Sequence, residues 1–194
     1  PRLRPSASLL GRYADEQALT PSGTLRVDPR LGTPLAVSFR YFTLRAPGRG
    51  ETFPTRWVRA ARQAGMAVHI ALEPGLPLRQ ITEQTLTPFA KAARASGAPI
   101  YLRFAGEFND PANEWSRDPA LYRATFRLVH DVMARLAPNV ALVWMPMGSR
   151  LDVIDRYYPG VDAVDWVGLS VYAAPFRNGN VRDSALTDSP LDAL

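Results

Sequence analysis

The sequence predicts an α/β fold of the (β/α)8 TIM-barrel kind, with the first six βα units present in this chain. Short, nearly continuous apolar runs alternate with helical segments, the pattern of a parallel sheet covered by helices. Carboxylates and aromatics fall at the ends of those runs: Asp15 and Glu16 after the first, Glu73 at the third, Glu107 at the fourth, Trp144 at the fifth, Tyr172 at the sixth. Barrels collect their reactive groups at those strand ends. An open nucleotide-binding sheet would carry a Gly-rich phosphate loop after its first strand, and the segment there reads Gly11-Arg12-Tyr13-Ala14-Asp15-Glu16 instead. A whole barrel takes about 250 residues, so six units need about 190. The chain has 194, and residues 1–194 are expected to form a single barrel domain that is incomplete at its C-terminal side.

Taken in order, residues 8–13 are a weak first strand and 35–42 a better second one, rich in β-formers. The segment 54–63 reads as a helix with Trp57, Val58, Ala61 and Ala64 on one face and Gly65 as a stop. Residues 66–73 form the third strand, closed by Pro74-Gly75, and a helix over about 82–96 ends at Gly97. Strand four is 100–105. Asp118-Pro119 places an N-cap before a proline at the first helical position, opening a helix through Leu121, Thr125, Leu128, Val132 and Leu136. Strands five and six are 140–145 and 165–172. The tail 173–194 is polar and does not read as a strand.

Composition removes several classes of function. There is no cysteine, which excludes disulfide frameworks, thiolate zinc sites and cysteine nucleophiles. His69 and His130 are the two histidines and stand far apart, so no metal site is readable. His69 reads as a satisfied core residue and His130 as a surface one. No apolar run approaches the roughly 18 residues of a membrane span. The net charge is +5, and 22 of the 23 basic residues are Arg, with Lys91 the exception. They are strewn along the chain rather than gathered on one face, which argues against a nucleic-acid partner.

The richest segment is Arg103-Phe104-Ala105-Gly106-Glu107-Phe108-Asn109-Asp110. Strand alternation puts Arg103, Ala105 and Glu107 on one face, with Arg103 about 13 Å from Glu107 if the strand continues. A carboxylate among Phe104, Phe108 and Trp115 could be desolvated enough to act as a general acid. The other reading is a carboxylate paired with a buried arginine, and the residues alone leave both open.

Arg103 to Asn109, Trp115, Val143-Trp144-Met145-Pro146 and the run from Tyr157 to Gly168 together resemble glycoside hydrolase family 26, the β-mannanase family. The similarity is sharpest from Tyr101 to Tyr172. It implies the (β/α)8 barrel, retaining hydrolysis of a β-linked polysaccharide such as β-mannan, and no metal or organic cofactor. It places the acid/base on Glu107. Trp115, Trp144 and Tyr172 match residues that line the sugar cleft, and Asn109 matches a polar residue able to orient the sugar. The chain departs from the family pattern at Gly106, where a His is usual, and at Asp110, where a Gly is usual. The family takes its nucleophile from strand seven; the tail 173–194 has no Glu, only Asp183, Asp188 and Asp192, so the nucleophile is expected to be missing from this chain. Glu73 is the best internal candidate, with a substrate-binding or turn role as its alternative.

The resulting expectation is a secreted or periplasmic glycoside hydrolase whose partner is a polysaccharide or oligosaccharide. Two rivals stand beside it. One is a non-catalytic carbohydrate-binding or scaffold module that keeps the aromatic cleft, and the other is an arginine-mediated polyanion binder with salt-sensitive affinity.

Overall fold

The computed structural model describes residues 11–14, 18–26, 35–171, 176–177 and 181–182. Six parallel strands, β1 (Gly11–Tyr13), β2 (Val37–Leu44), β3 (Ala67–Pro74), β4 (Ile100–Phe104), β5 (Val140–Trp144) and β6 (Trp166–Val167), form one sheet whose spatial order is the order of the chain. A doubly wound sheet reverses its strand order at a switch point. The sheet here never does, and that sequential order is the one a βα barrel requires. Helices α1 (Thr55–Gln63), α2 (Glu83–Ser96) and α3 (Pro119–Leu136) make the crossovers from β2 to β5, and a kinked 3₁₀ segment, Gly148–Tyr157, leads to β6.

The helix ends follow the sequence signals. The Thr82 hydroxyl accepts from the Thr85 amide in a capping box, and Gly97 closes α2 at φ 61°, a conformation that suits glycine. Asp118 Oδ1 accepts from the amides of Ala120 and Leu121, with Pro119 at the first helical position of α3.

Strand register sorts the side chains into two layers. Ile70, Leu102 and Leu142 lie in register and face the helices. There they join Trp57 and Val58 of α1, Leu86 and Phe89 of α2, and Tyr122, Phe126 and Val129 of α3 in one buried apolar cluster. The opposite, inner face carries the register rows Phe39–His69–Tyr101–Ala141 and Tyr41–Ala71–Arg103–Val143. One face is thus an ordinary hydrocarbon core, and the other collects aromatic and charged groups.

Three expectations are corrected. The second strand runs Val37–Leu44, two residues later than 35–42. The sixth, expected over 165–172, is reduced to Trp166–Val167. Asp165 turns its carboxylate to the Leu142 amide at 2.9 Å, and Gly168 passes so close to β5 that an added Cβ would sit 3.1 Å from Met145 Cγ. The tail, expected to hold no strand, carries a two-stranded antiparallel hairpin, β7 (Phe176–Arg177) with β8 (Val181–Arg182), outside the main sheet. Residues 8–10 of the first strand, and Asp15, Glu16, Asp183, Asp188 and Asp192, lie outside the described residues. So does Tyr172.

Candidate active site

Strand β4 stops at Phe104, and the next three residues form a sharp turn. Ala105 has φ 44° and Glu107 φ 55°, the two non-glycine residues of positive φ among those described. Such conformations are disfavoured for residues with a Cβ and persist where surrounding bonds over-determine them. Here the Ala105 amide donates to Leu72 O of β3 at 3.0 Å, and the Glu107 amide donates to Met145 O beyond β5 at 2.8 Å. Trp115 Nε1 donates to Gly106 O at 2.9 Å, and Asn113 Nδ2 donates to Glu107 O at 2.9 Å. Four hydrogen bonds therefore fix the turn, two of them at the Glu107 backbone itself, while the Glu107 side chain is 18% exposed.

This turn overturns the expected spacing. With the strand ended at Phe104 and φ positive, Glu107 does not continue the pleat, and Arg103 Nη1 stands 3.9 Å from Glu107 Oε1. Arg103 is buried, at 5% exposure, with its guanidinium over the rings of Tyr41 and Phe39 at 5.3 and 5.7 Å. Nη1 also donates to Met145 Sδ at 3.6 Å. The shared cation answers to a second carboxylate. Burial raises the Glu73 carboxyl above its ordinary range, Arg103 pulls it down, and the charge of Glu107 pushes it up again. Glu73 and Glu107 thus lie within the field of the same guanidinium.

On the same face His69 packs edge-on to Phe39, ring centroids 5.0 Å apart. Burial, aided by Arg103, lowers its pKa to about 4, so the imidazole is neutral at pH 7. The expectation of a satisfied core histidine is corrected, because its buried Nε2 has no hydrogen-bond partner among the described residues. A cavity of about 440 Å³ lies over this floor, walled by Tyr13, Phe39 and Tyr41 and bounded by His69, Arg103 and Ser170. His130, expected on the surface, is about a quarter exposed and pairs with Asp131 at 2.9 Å.

The other anticipated residues divide. Trp115 is half-buried and lines a neighbouring groove of about 390 Å³ with Pro74, Leu76, Arg79 and Arg117. Asn109 is buried, and its amide clamps the loop after β5: Nδ2 donates to Met147 O and Arg150 O, both at 2.8 Å, while Oδ1 accepts from the Met147 amide at 2.7 Å. Both amide hydrogens are engaged, so Asn109 shapes the loop rather than meeting a sugar. Trp144 is only 5% exposed. Its neighbour Val143 is in register with Arg103 on the inner face, so Trp144 points the other way, stacking on Phe108 at 4.8 Å and meeting Tyr158 at 5.3 Å. That packing removes it from any cleft on the inner face. Sequence reasoning left out Tyr41, Phe39 and Asn113. The first two were findable from the alternation of β2, which puts both on one face; Asn113 gave no such signal. Among the described residues no group of three or more His, Asp or Glu could hold a metal ion.

No family model matches the chain. An 80-residue stretch is 34% identical to a β-1,3-xylanase, TXYA, from a Vibrio species, covering 39% of this chain and 17% of the xylanase. A β-1,3-xylanase from an Alcaligenes species is 31% identical over 80 residues, with the same coverage. Among solved structures, a modular endo-β-1,4-mannanase of glycoside hydrolase family 26 from Cellulomonas fimi matches with a TM-score of 0.61 at 21% identity, covering 86% of this chain. The chain spans 48% of that mannanase chain and under a fifth of each xylanase. Its six strands are therefore those of a TIM-barrel fold, and the proteins it is similar to, in sequence and in fold, are glycoside hydrolases.

Proposed function

We propose that residues 1–194 are part of the catalytic barrel of a longer glycoside hydrolase that cleaves a β-linked polysaccharide with retention of configuration, Glu107 serving as acid/base. The observation that carries this reading is the turn after β4, which is tied to β3 through the Ala105 amide and to Met145 beyond β5 through the Glu107 amide, with the Glu107 carboxylate on the inner face near Arg103 and Glu73. In the first step Glu107 gives its proton to the glycosidic oxygen as a second carboxylate attacks the anomeric carbon and the leaving sugar departs. In the second, Glu107 takes a proton from water, whose oxygen attacks the same carbon and releases the carboxylate.

The reading assigns that nucleophile to a strand beyond the six described here and keeps Glu73 as a substrate-facing group. Trp115 and Tyr172 remain the proposed sugar platforms. β-Mannan and β-1,3-xylan are the two substrates to try, since the mannanase and the xylanases are the similar proteins. A polysaccharide substrate also fits a secreted or periplasmic location. Among the described residues no helix is long and apolar enough to cross a membrane.

The test is reducing-end release from both polysaccharides by the full-length protein and its Glu107→Gln variant. Loss of general acid catalysis predicts a fall in kcat of about 10² or more, and unchanged turnover in the variant contradicts the assignment. The departures at Gly106 and Asp110 favour the second reading, a binding module. Oligosaccharide binding by the wild type without cleavage products would select it.

A further inference from the structure

Arg103 and Gly106 fit each other in a way that neither explains alone. A Cβ built on Gly106 would lie 2.6 Å from Arg103 Nε, 2.8 Å from Cδ and 3.1 Å from Cγ. Distances under 3 Å mean that any side chain at 106 must displace the arginine. The φ of Gly106 is not among the positive ones, so space rather than backbone conformation is what glycine supplies. Position 106 is also where this chain departs from the pattern that it resembles.

We infer that Arg103 is the positioning residue of Glu107, and that Gly106 is the vacancy that admits it. The inference rests on the acid/base reading of Glu107. The left-handed turn at Ala105 and Glu107 swings the carboxylate back over the strand, and the guanidinium meets it at 3.9 Å through the space that a larger residue at 106 would fill. Arg103 is itself held on several sides: Tyr41 and Phe39 lie against the guanidinium, and Met145 accepts from Nη1. A planar, permanently charged group held in this way keeps its Nη1 close to the carboxylate, at 3.9 Å from Oε1. An imidazole would change charge within the working pH range, and a guanidinium does not. The titratable groups around Arg103 are Tyr41 from β2, His69 and Glu73 from β3, and Glu107 from the turn.

His69 reports where the guanidinium is, because Arg103 is one of the two causes that lower its pKa to about 4. The test compares wild type, Arg103→Ala, Gly106→Ala and the double variant of the full-length protein by two readouts. In the first, the imidazole resonances of His69 are titrated by NMR. The midpoint is expected to rise in Arg103→Ala and, by displacement of the arginine, in Gly106→Ala. In the second, kcat is expected to fall about tenfold or more in each single variant while KM stays within about twofold, and the double variant is expected to be no worse than Arg103→Ala alone, as for two residues acting as a unit.

Should Gly106→Ala alone fail to fold, the proposal requires the double variant to fold, since the atoms that clash are gone. A wild-type His69 midpoint in folded Gly106→Ala, losses that multiply in the double variant, or a double variant that fails to fold like Gly106→Ala would each overturn it. A wild type without hydrolytic activity would sink the acid/base reading instead. The His69 titration would still decide whether Gly106 seats Arg103.

Discussion

His69 has an ordinary pKa of 6.5 and a pKa of about 4 in the folded chain, because burial and Arg103 disfavour its charged form. The unfolded state therefore binds the extra proton between those values, and folding stability falls as pH drops from about 6.5 towards 4. The full effect is on the order of 3 kcal/mol. Glu73 works in the opposite sense: its raised folded pKa adds stability at low pH that is lost as pH rises through that value. Comparing wild type with His69→Gln by urea denaturation at pH 5 and 7 isolates the histidine. The wild type should lose more stability than the variant on acidification, and equal losses would contradict the placement of His69. Some of this chemistry was legible in the sequence. Glu73 and Glu107 stand out as carboxylates at strand ends. The Arg103–Glu107 approach does not, because it depends on positive φ at Ala105 and Glu107, a conformation that neither residue type favours and that hydrogen bonds to both flanking strands impose. The Asn109 clamp was hidden for a related reason, since its partners lie 38 and 41 residues away.

Helix boundaries were the most readable features, because their signals are local. Asp118-Pro119 opens α3 and Gly97 closes α2 as their side-chain chemistry dictates. Asp118→Ala should cost about 1 kcal/mol by removing the acceptor of two first-turn amides. A denaturant midpoint unchanged from wild type would contradict the cap. Strand lengths were less readable. β6 reads as eight residues long from its apolar run, yet regular pairing covers Trp166–Val167 and returns farther on as a single parallel bridge of Ser170 to Met147. Trp144 shows that β-propensity does not reveal which face a residue takes. Only the register of β5 on β4, with Val143 opposite Arg103, turns Trp144 towards Phe108 and Tyr158.

The molecule as a whole separates two tasks by face. The helix side of the sheet buries Trp57, Phe89, Phe104 and Phe126 and holds the fold. The inner side is left with a cavity walled by Tyr13, Phe39 and Tyr41 over His69 and Arg103, and Arg103 in turn acts on Glu73 and Glu107. Sequential parallel order was legible from alternating strands and helices, and it is what brings the ends of β3 and β4 side by side, so that Glu73 and Glu107 share one cation. The central claim is that Glu107 is the acid/base of a retaining hydrolase, and chemical rescue tests it most directly. Glu107→Ala of the full-length protein is given an aryl β-glycoside whose leaving group needs no proton, with and without sodium azide. The first step then proceeds, the glycosyl ester accumulates for want of a base to activate water, and azide, which needs none, attacks it. The account predicts that azide restores turnover and that the product is the β-glycosyl azide. No response to azide, or full turnover of polysaccharide by the variant without it, would contradict the account.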